Sequence, residues 1–258
     1  MVKCLHGILV EKQVIIDHLS ISHSKILFMP TEKEVYDAHA DQYERLILRE
    51  DYQNNIPKEI IKIKDIKGST IIEFGAGTGR LTRFLVDDAA FIAASDLSHH
   101  MLSQAKEILA SKPEQNMNLC VADMRQAPYT PKSADMIIAG WSFCYLAVWG
   151  KDRWKKELEK GLEEAIRLLK PGGVLILFEN FGTGFETPNP PPHLSDYFEF
   201  LKVNGFQSTW FRTDYQFKDL GEALELSGFF FGDELSNKVK NNNWTLLPEC
   251  TGMLWKTF

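Results

Sequence analysis

The run Thr70-Ile71-Ile72-Glu73-Phe74-Gly75-Ala76-Gly77-Thr78-Gly79-Arg80-Leu81 holds the residues best spaced for binding chemistry. Gly75, Gly77 and Gly79 alternate there, so the backbone turns tightly and a ligand approaches it with no Cβ atoms in the way. Residues 70–73 read as a short buried strand closed by Phe74, and residues 80–85 as the start of an amphipathic helix. A helix N-terminus behind such a turn offers unpaired N–H groups. Asp96 stands about 20 residues past Glu73, at the carboxyl end of a second predicted strand, where an acid accepts hydrogen bonds from both ribose hydroxyls of a nucleotide. Its other reading is an acid favoured by the dipole of the helix that follows.

These residues need elements to position them, and the chain supplies a strand–helix alternation, as a parallel sheet requires. Strands are expected at 89–95, 118–122, 135–139 and 174–180, with helices at 98–111, capped by Ser98, and at 152–170. Pro171-Gly172-Gly173 is expected to close the long helix as a C-cap turn. Further on, the patterning predicts a helix at 195–204, a strand at 207–217, helices at 219–227 and from 229 to 240, and a last strand at 251–258. Upstream, Thr31-Glu32-Lys33-Glu34 is a capping box that should open a helix running to about Leu48. A second helix at 56–63 carries Pro57 in its first turn.

Composition narrows the function classes. The chain has 258 residues, 44% hydrophobic and 25% charged, enough for one α/β domain with a full core. A formal charge of −6 argues against general affinity for nucleic acid or anionic membranes. Cys4, Cys120, Cys144 and Cys250 form no C-x-x-C pair and read as reduced thiols of a cytoplasmic protein. No apolar run is long enough to span a membrane, and residues 1–20 are too broken by charge for a signal peptide. Residues 1–30 read as an N-terminal extension of unclear structure, with translation from Met29 as one hypothesis; the domain proper is expected over 31–258.

The glycine run departs from the dinucleotide fingerprint, whose third small residue is replaced here by Arg80. Glu73-x-Gly75-x-Gly77-x-Gly79 instead resembles motif I of the class I S-adenosylmethionine-dependent methyltransferases, and Leu169-Lys170-Pro171-Gly172-Gly173 with the strand after it resembles a later motif of that family. An acid beside the turn suits a cationic, amino-acid-bearing cofactor better than a pyrophosphate. The resemblance implies an α/β, Rossmann-like, doubly wound sheet of seven strands in a three-layer sandwich, its last strand antiparallel between strands five and six. It implies S-adenosyl-L-methionine as cofactor, with Gly75, Ala76, Gly77 and Gly79 bordering the methionine part and Glu73 orienting the turn or the amino group. Asp96 would hold the ribose, Leu97 and Met101 would frame the adenine, and Asp123-Met124 would meet its amino group. The helix at residues 31–48 would be a lid, with Tyr36 and Tyr43 either touching cofactor or packing the helix on the core. Gly140-Trp141-Ser142-Phe143, after the fourth strand, falls where the family seats its methyl acceptor.

The acceptor is less sharply written. The loop after the fourth strand lacks the Asn/Asp-Pro-Pro-aromatic motif of amide and base methylation, and Asn189-Pro190-Pro191-Pro192 lies after the fifth strand. Trp141, Phe143, Tyr145 and Trp149 read either as a packed junction or as an apolar acceptor pocket whose ring faces attract the sulfonium. The expectation is a small-molecule acceptor, with no nucleic-acid or membrane partner. Methylation of tRNA or protein, a non-catalytic binding module and an NAD-dependent oxidoreductase are the alternatives. A hydroxyl acceptor would gain from a base, for which Glu179, His193 and Tyr145 are the candidates by position. No metal is expected, since His99-His100 diverge on a helix and Glu179 alone is too few acids for a hard cation.

Overall fold

The computed structural model describes residues 40–258; the capping box, Tyr36 and the N-terminal extension lie outside them. Two helices lead, α1 (Ala40–Ile47) and α2 (Asn55–Ile63). Then come β1 (Thr70–Phe74), the one-turn α3 (Thr82–Leu85), β2 (Phe91–Asp96), α4 (His99–Ile108), β3 (Met117–Val121) and β4 (Ala134–Gly140). A short α5 (Tyr145–Val148) and the long α6 (Trp154–Leu168) precede β5 (Leu169–Thr183). The chain closes with α7 (Ser195–Val203), β6 (Gln207–Arg212), β7 (Tyr215–Gln216), α8 (Leu220–Asn242), β8 (Leu246–Leu247) and β9 (Glu249–Thr257).

The main sheet has seven strands in the order β3-β2-β1-β4-β5-β9-β6. β1 to β5 pair in parallel, and β9 runs antiparallel between β5 and β6. Successive strand residues enter opposite cores, as a pleated strand buried on both faces must have it. Ile72, Ile137, Leu175 and Leu177 pack on one face, and Ile71, Met136, Ile138 and Ile176 on the other. This is the doubly wound sandwich with reversed last strand that the sequence implies. Its order reverses at β1/β4, and that crevice, at the carboxyl ends of the parallel strands, is where such sheets bind ligands.

Local outcomes differ from the sequence pattern in four places. The helix after the glycine turn is a single turn, because Gly68 N–H takes the Asp88 carbonyl at 3.0 Å and draws the chain back toward β2. Pro171-Gly172-Gly173 does not cap α6. The chain is already extended at Leu169, which pairs with Ala134, and the run bulges out before Val174 pairs with Met136. The strand expected at 207–217 breaks after Arg212, whose guanidinium donates to Asp214 at 2.6 and 2.9 Å; Tyr215–Gln216 then pairs with β8 in a separate sheet. The two helices expected between 219 and 240 abut in α8 at Gly232, whose φ of 84° breaks the helical path.

Candidate active site

Glu73, the last interior residue of β1, is buried, and its Oε2 accepts from the Thr82 hydroxyl at 2.5 Å. Desolvation raises its carboxyl to about 7, against the partial relief of that bond. Glu73 therefore ties the strand to the helical turn beyond the glycines. Gly75, Gly77 and Gly79 have φ of 66°, 55° and 84°, in the left-handed region where only glycine is at ease. A Cβ on Gly75 would sit 2.3 Å from Ser142 Cβ, and one on Gly79 would sit 2.8 Å from Leu109 Cδ1. The first glycine thus locks the turn against the loop after β4, where Ser142 Oγ donates to the Phe74 carbonyl at 2.9 Å, while the third seats it on the chain leaving α4. Ala76 is buried and donates to the Ser95 carbonyl of β2 at 2.9 Å.

Asp96 ends β2 facing this turn. Its Oδ2 accepts from Gly77 N–H and its Oδ1 from Ser98 N–H, each at 2.8 Å. Burial pushes its carboxyl above the usual range, while those backbone donors pull it back. A carboxylate offers about four acceptor sites, so beyond the backbone donors Gly77, Ser98 and Leu97 it retains capacity for a ligand hydroxyl. Ser98 caps α4 as expected, accepting from Met101 N–H at 3.3 Å. Met101 is buried with its Cε 3.4 Å from a notional Cβ on Gly77, and Met124 Cε lies 3.8 Å from one on Gly75. The two methionines therefore line the turn, with Leu97 exposed at its outer rim. Asp123 is gripped by Arg125, whose Nε donates to Oδ1 at 2.9 Å and Nη2 to Oδ2 at 2.5 Å; those bonds hold its carboxyl below the usual range. Gly140 ends β4, where a Cβ would strike Leu81 Cδ1 at 2.8 Å.

A second constellation sits beside the tips of β4, β5 and β9. Trp141 follows β4 with φ of 51°, a left-handed conformation for a bulky residue, and its N–H donates to the Phe178 carbonyl at 2.7 Å. The Arg80 guanidinium stacks on its ring, 3.2 Å from the centroid, and pairs with Glu50. Glu50 is held in place by its chain neighbours: Gln216 N–H donates to the Arg49 carbonyl at 2.7 Å and Asp51 N–H to the Thr213 carbonyl at 3.2 Å. Glu249, first residue of β9, is buried within the field of Arg80 and Glu50, as are the phenols of Tyr43 and Tyr215. Desolvation drives the Glu50 carboxyl to about 7 and that of Glu249 upward. Tyr43 packs on Phe230 of α8, ring centroids 5.7 Å apart.

The three candidate bases occupy three settings. Glu179 is buried, its Oε1 accepting from the Tyr197 phenol at 2.6 Å, and burial raises it to about 7. Tyr145 is half-buried and stacks on Trp149 with centroids 4.5 Å apart. His193 is exposed in the single turn Pro192–Leu194. Sequence reasoning missed Glu50, Tyr215 and Glu249, which no local motif marks. It met Arg80 only as an obstacle to dinucleotide binding; its position directly after the third glycine was the available signal. Among the described residues, no three His, Cys, Asp or Glu side chains cluster closely enough to hold a metal ion, and no helix is long and apolar enough to cross a membrane.

A glycine turn at the switch point of a doubly wound sheet, faced by an acid at the tip of β2, has the geometry expected of a Rossmann-like nucleotide-binding site. Residues 72–177 match a family described as a methyltransferase domain. A demethylmenaquinone methyltransferase of Desulfitobacterium hafniense is 30% identical over 46% of this chain and 45% of its own length. A malonyl-[acyl-carrier protein] O-methyltransferase of Methylococcus capsulatus is 32% identical over 43% of this chain and 37% of its own. The chain thus spans less than half the length of these curated relatives. Among solved structures, a phosphoethanolamine N-methyltransferase 2 of Haemonchus contortus, in complex with S-adenosylhomocysteine, superposes with a TM-score of 0.59. It is 16% identical over 87% of this chain and 58% of its own, so that likeness speaks for the fold alone. Residues 72–177 of this chain are thus similar to a methyltransferase domain, on a sheet of the Rossmann-like order.

Proposed function

We propose that this protein binds S-adenosyl-L-methionine at the β1–β4 crevice and transfers its methyl group to a small molecule. The observation that carries this reading is the Asp96 carboxylate, fixed by Gly77 N–H at 2.8 Å so that the ribose acid and the glycine turn form one surface. Glu73 sets the turn from beneath, Met101 and Met124 flank it, and Asp123, oriented by Arg125, stands beyond for the adenine amino group. The acceptor approaches over Gly140 and Trp141. Attack at the methyl carbon breaks the C–S bond and leaves a neutral thioether, which needs no protonation by the protein. The chain's contribution is then position and exclusion of water.

Small-molecule acceptors are supported by the acidic charge, by the aromatic ring wall at the β4 tip, and by the relatives, whose names include a quinone methyltransferase. The test is transfer of labelled methyl from S-adenosylmethionine into a fractionated metabolite extract, and in parallel into tRNA and protein. Label in small molecules, surviving excess EDTA, is the expected result. Label confined to tRNA or protein, or activity lost in EDTA and restored by magnesium, would overturn it.

A further inference from the structure

We propose that Glu249 and Glu50, beside Tyr43 and Tyr215, form the acceptor subsite and that the acceptor is a basic amine. The proposal rests on the methyltransferase reading and names its substrate class.

Charge is the first argument. The buried constellation holds two carboxyl groups, Glu50 and Glu249, against one cation, Arg80. The neighbouring charges are engaged elsewhere. Asp51 caps α2, accepting from Asn55 and Ile56 N–H at 2.7 and 2.8 Å; Asp214 is bound to Arg212; Arg83 is paired with Glu44 at 2.8 Å. Arg80 is itself spent on Glu50 and on the Trp141 face. Among the described residues Glu249 is therefore the acid left without a counter-charge of its own; Thr183 bonds its carboxyl, but its Oε2 is buried with no hydrogen-bond partner. A buried carboxyl in that condition holds a proton or takes up a cation.

The second argument is the rings. Tyr43 and Tyr215 lie in the field of the acids, and aromatic rings attract ammonium groups, while the Trp141 face is already taken by Arg80. An anionic acceptor would have to displace Glu50 from Arg80 and leave two buried acids uncompensated, whereas an ammonium group supplies the missing charge. A cavity of about 230 Å³ opens on the Glu50 side of the cluster, lined by Glu50, Arg80, Tyr52 and Phe84; Glu249 lies behind it, outside the lining.

The chemistry balances. The bound ammonium gives one proton to the Glu249 carboxylate and becomes a neutral amine. Its nitrogen lone pair forms the N–C bond, the C–S bond breaks, and sulfur keeps that electron pair. The product leaves as a methylated ammonium, and the Glu249 proton passes to water.

The test uses the full chain saturated with S-adenosylhomocysteine and titrates phenethylamine, phenethyl alcohol and phenylacetate by calorimetry at pH 7. Phenethylamine should bind at least tenfold more tightly than either isostere, and Glu249→Gln should reduce that preference below tenfold. Gln is close in shape to the protonated acid, so the fold should hold; S-adenosylhomocysteine affinity and circular dichroism check it. A wild-type preference below tenfold, undetectable amine binding, or a preference that survives in Glu249→Gln overturns the proposal. Should S-adenosylhomocysteine itself fail to bind, the cofactor reading falls, and the same titrations on the unliganded chain judge the amine subsite by the same criteria.

Discussion

The crevice has two halves built on opposite economies. On the β1–β2 side, the functional groups come from one stretch of chain, and their polar atoms are bonded: Asp96 by two backbone N–H groups and Glu73 by Thr82. On the β4–β9 side, the groups come from α1, the α1–α2 connection, the turn after β1, the β4 loop, β7 and the start of β9; Glu50 is paired with Arg80, and among the described residues the buried Oε2 of Glu249 has no hydrogen-bond partner. A site for a fixed cofactor can be preformed by local backbone geometry. A site left with uncompensated buried acid is one whose missing partner arrives from outside.

The largest expected effect is a pH dependence of folding, to which buried acids of both halves contribute. Glu50, Glu73 and Glu179 have folded values of about 7 against an ordinary 4.5. Between those values the folded chain keeps protons that the unfolded chain has lost, so stability falls as pH rises through this window and levels off above about 7. Urea midpoints from pH 5 to 7.5 should decline, by a total on the order of several kcal/mol. Glu50→Gln should flatten the slope more than any change at Asp96. Midpoints that rise across this window would remove the buried acids from the account.

Next in size, Gly77→Val should lower S-adenosylhomocysteine affinity by more than about 100-fold, since a branched side chain at φ of 55° fills the approach beside Met101. Retained binding would show that the ligand avoids this turn. Asp96→Ala should cost roughly 1.5–3 kcal/mol of the same affinity, the worth of charge-assisted hydrogen bonds to a diol. An unchanged affinity with intact fold would take Asp96 out of the site.

These two predictions fall where the sequence was informative, and for a physical reason. Glycine alternation, the β2-terminal acid and the Ser98 cap act within a few residues, so the chain carries them as pattern. The sheet order and the reversed β9 followed from strand alternation and family likeness. Glu249 and Tyr215 carry no such pattern, because their role is made by the register Thr183↔Glu249 and by a two-stranded sheet that the alternation at 207–217 concealed. The one-turn α3 and the bulge at Pro171-Gly172-Gly173 depended on tertiary hydrogen bonds invisible to local propensity.

The smallest effect concerns Glu179. Tyr197→Phe removes the phenol that donates to Oε1 at 2.6 Å and should destabilise the fold by about 1–3 kcal/mol, lowering the melting temperature by about 2–4 °C per kcal/mol. If Glu179 serves the fold through Tyr197, the methyl-transfer pH profile of this variant keeps its shape. A shifted profile would instead assign Glu179 to proton transfer.

The most direct measurement is calorimetric titration of the purified full chain with S-adenosylhomocysteine and, separately, with NAD. The account predicts one S-adenosylhomocysteine bound per chain and no heat from NAD, because the glycine turn, Asp96 and the paired methionines form one cofactor surface. Saturable NAD binding, or no binding of S-adenosylhomocysteine by folded protein, would contradict it.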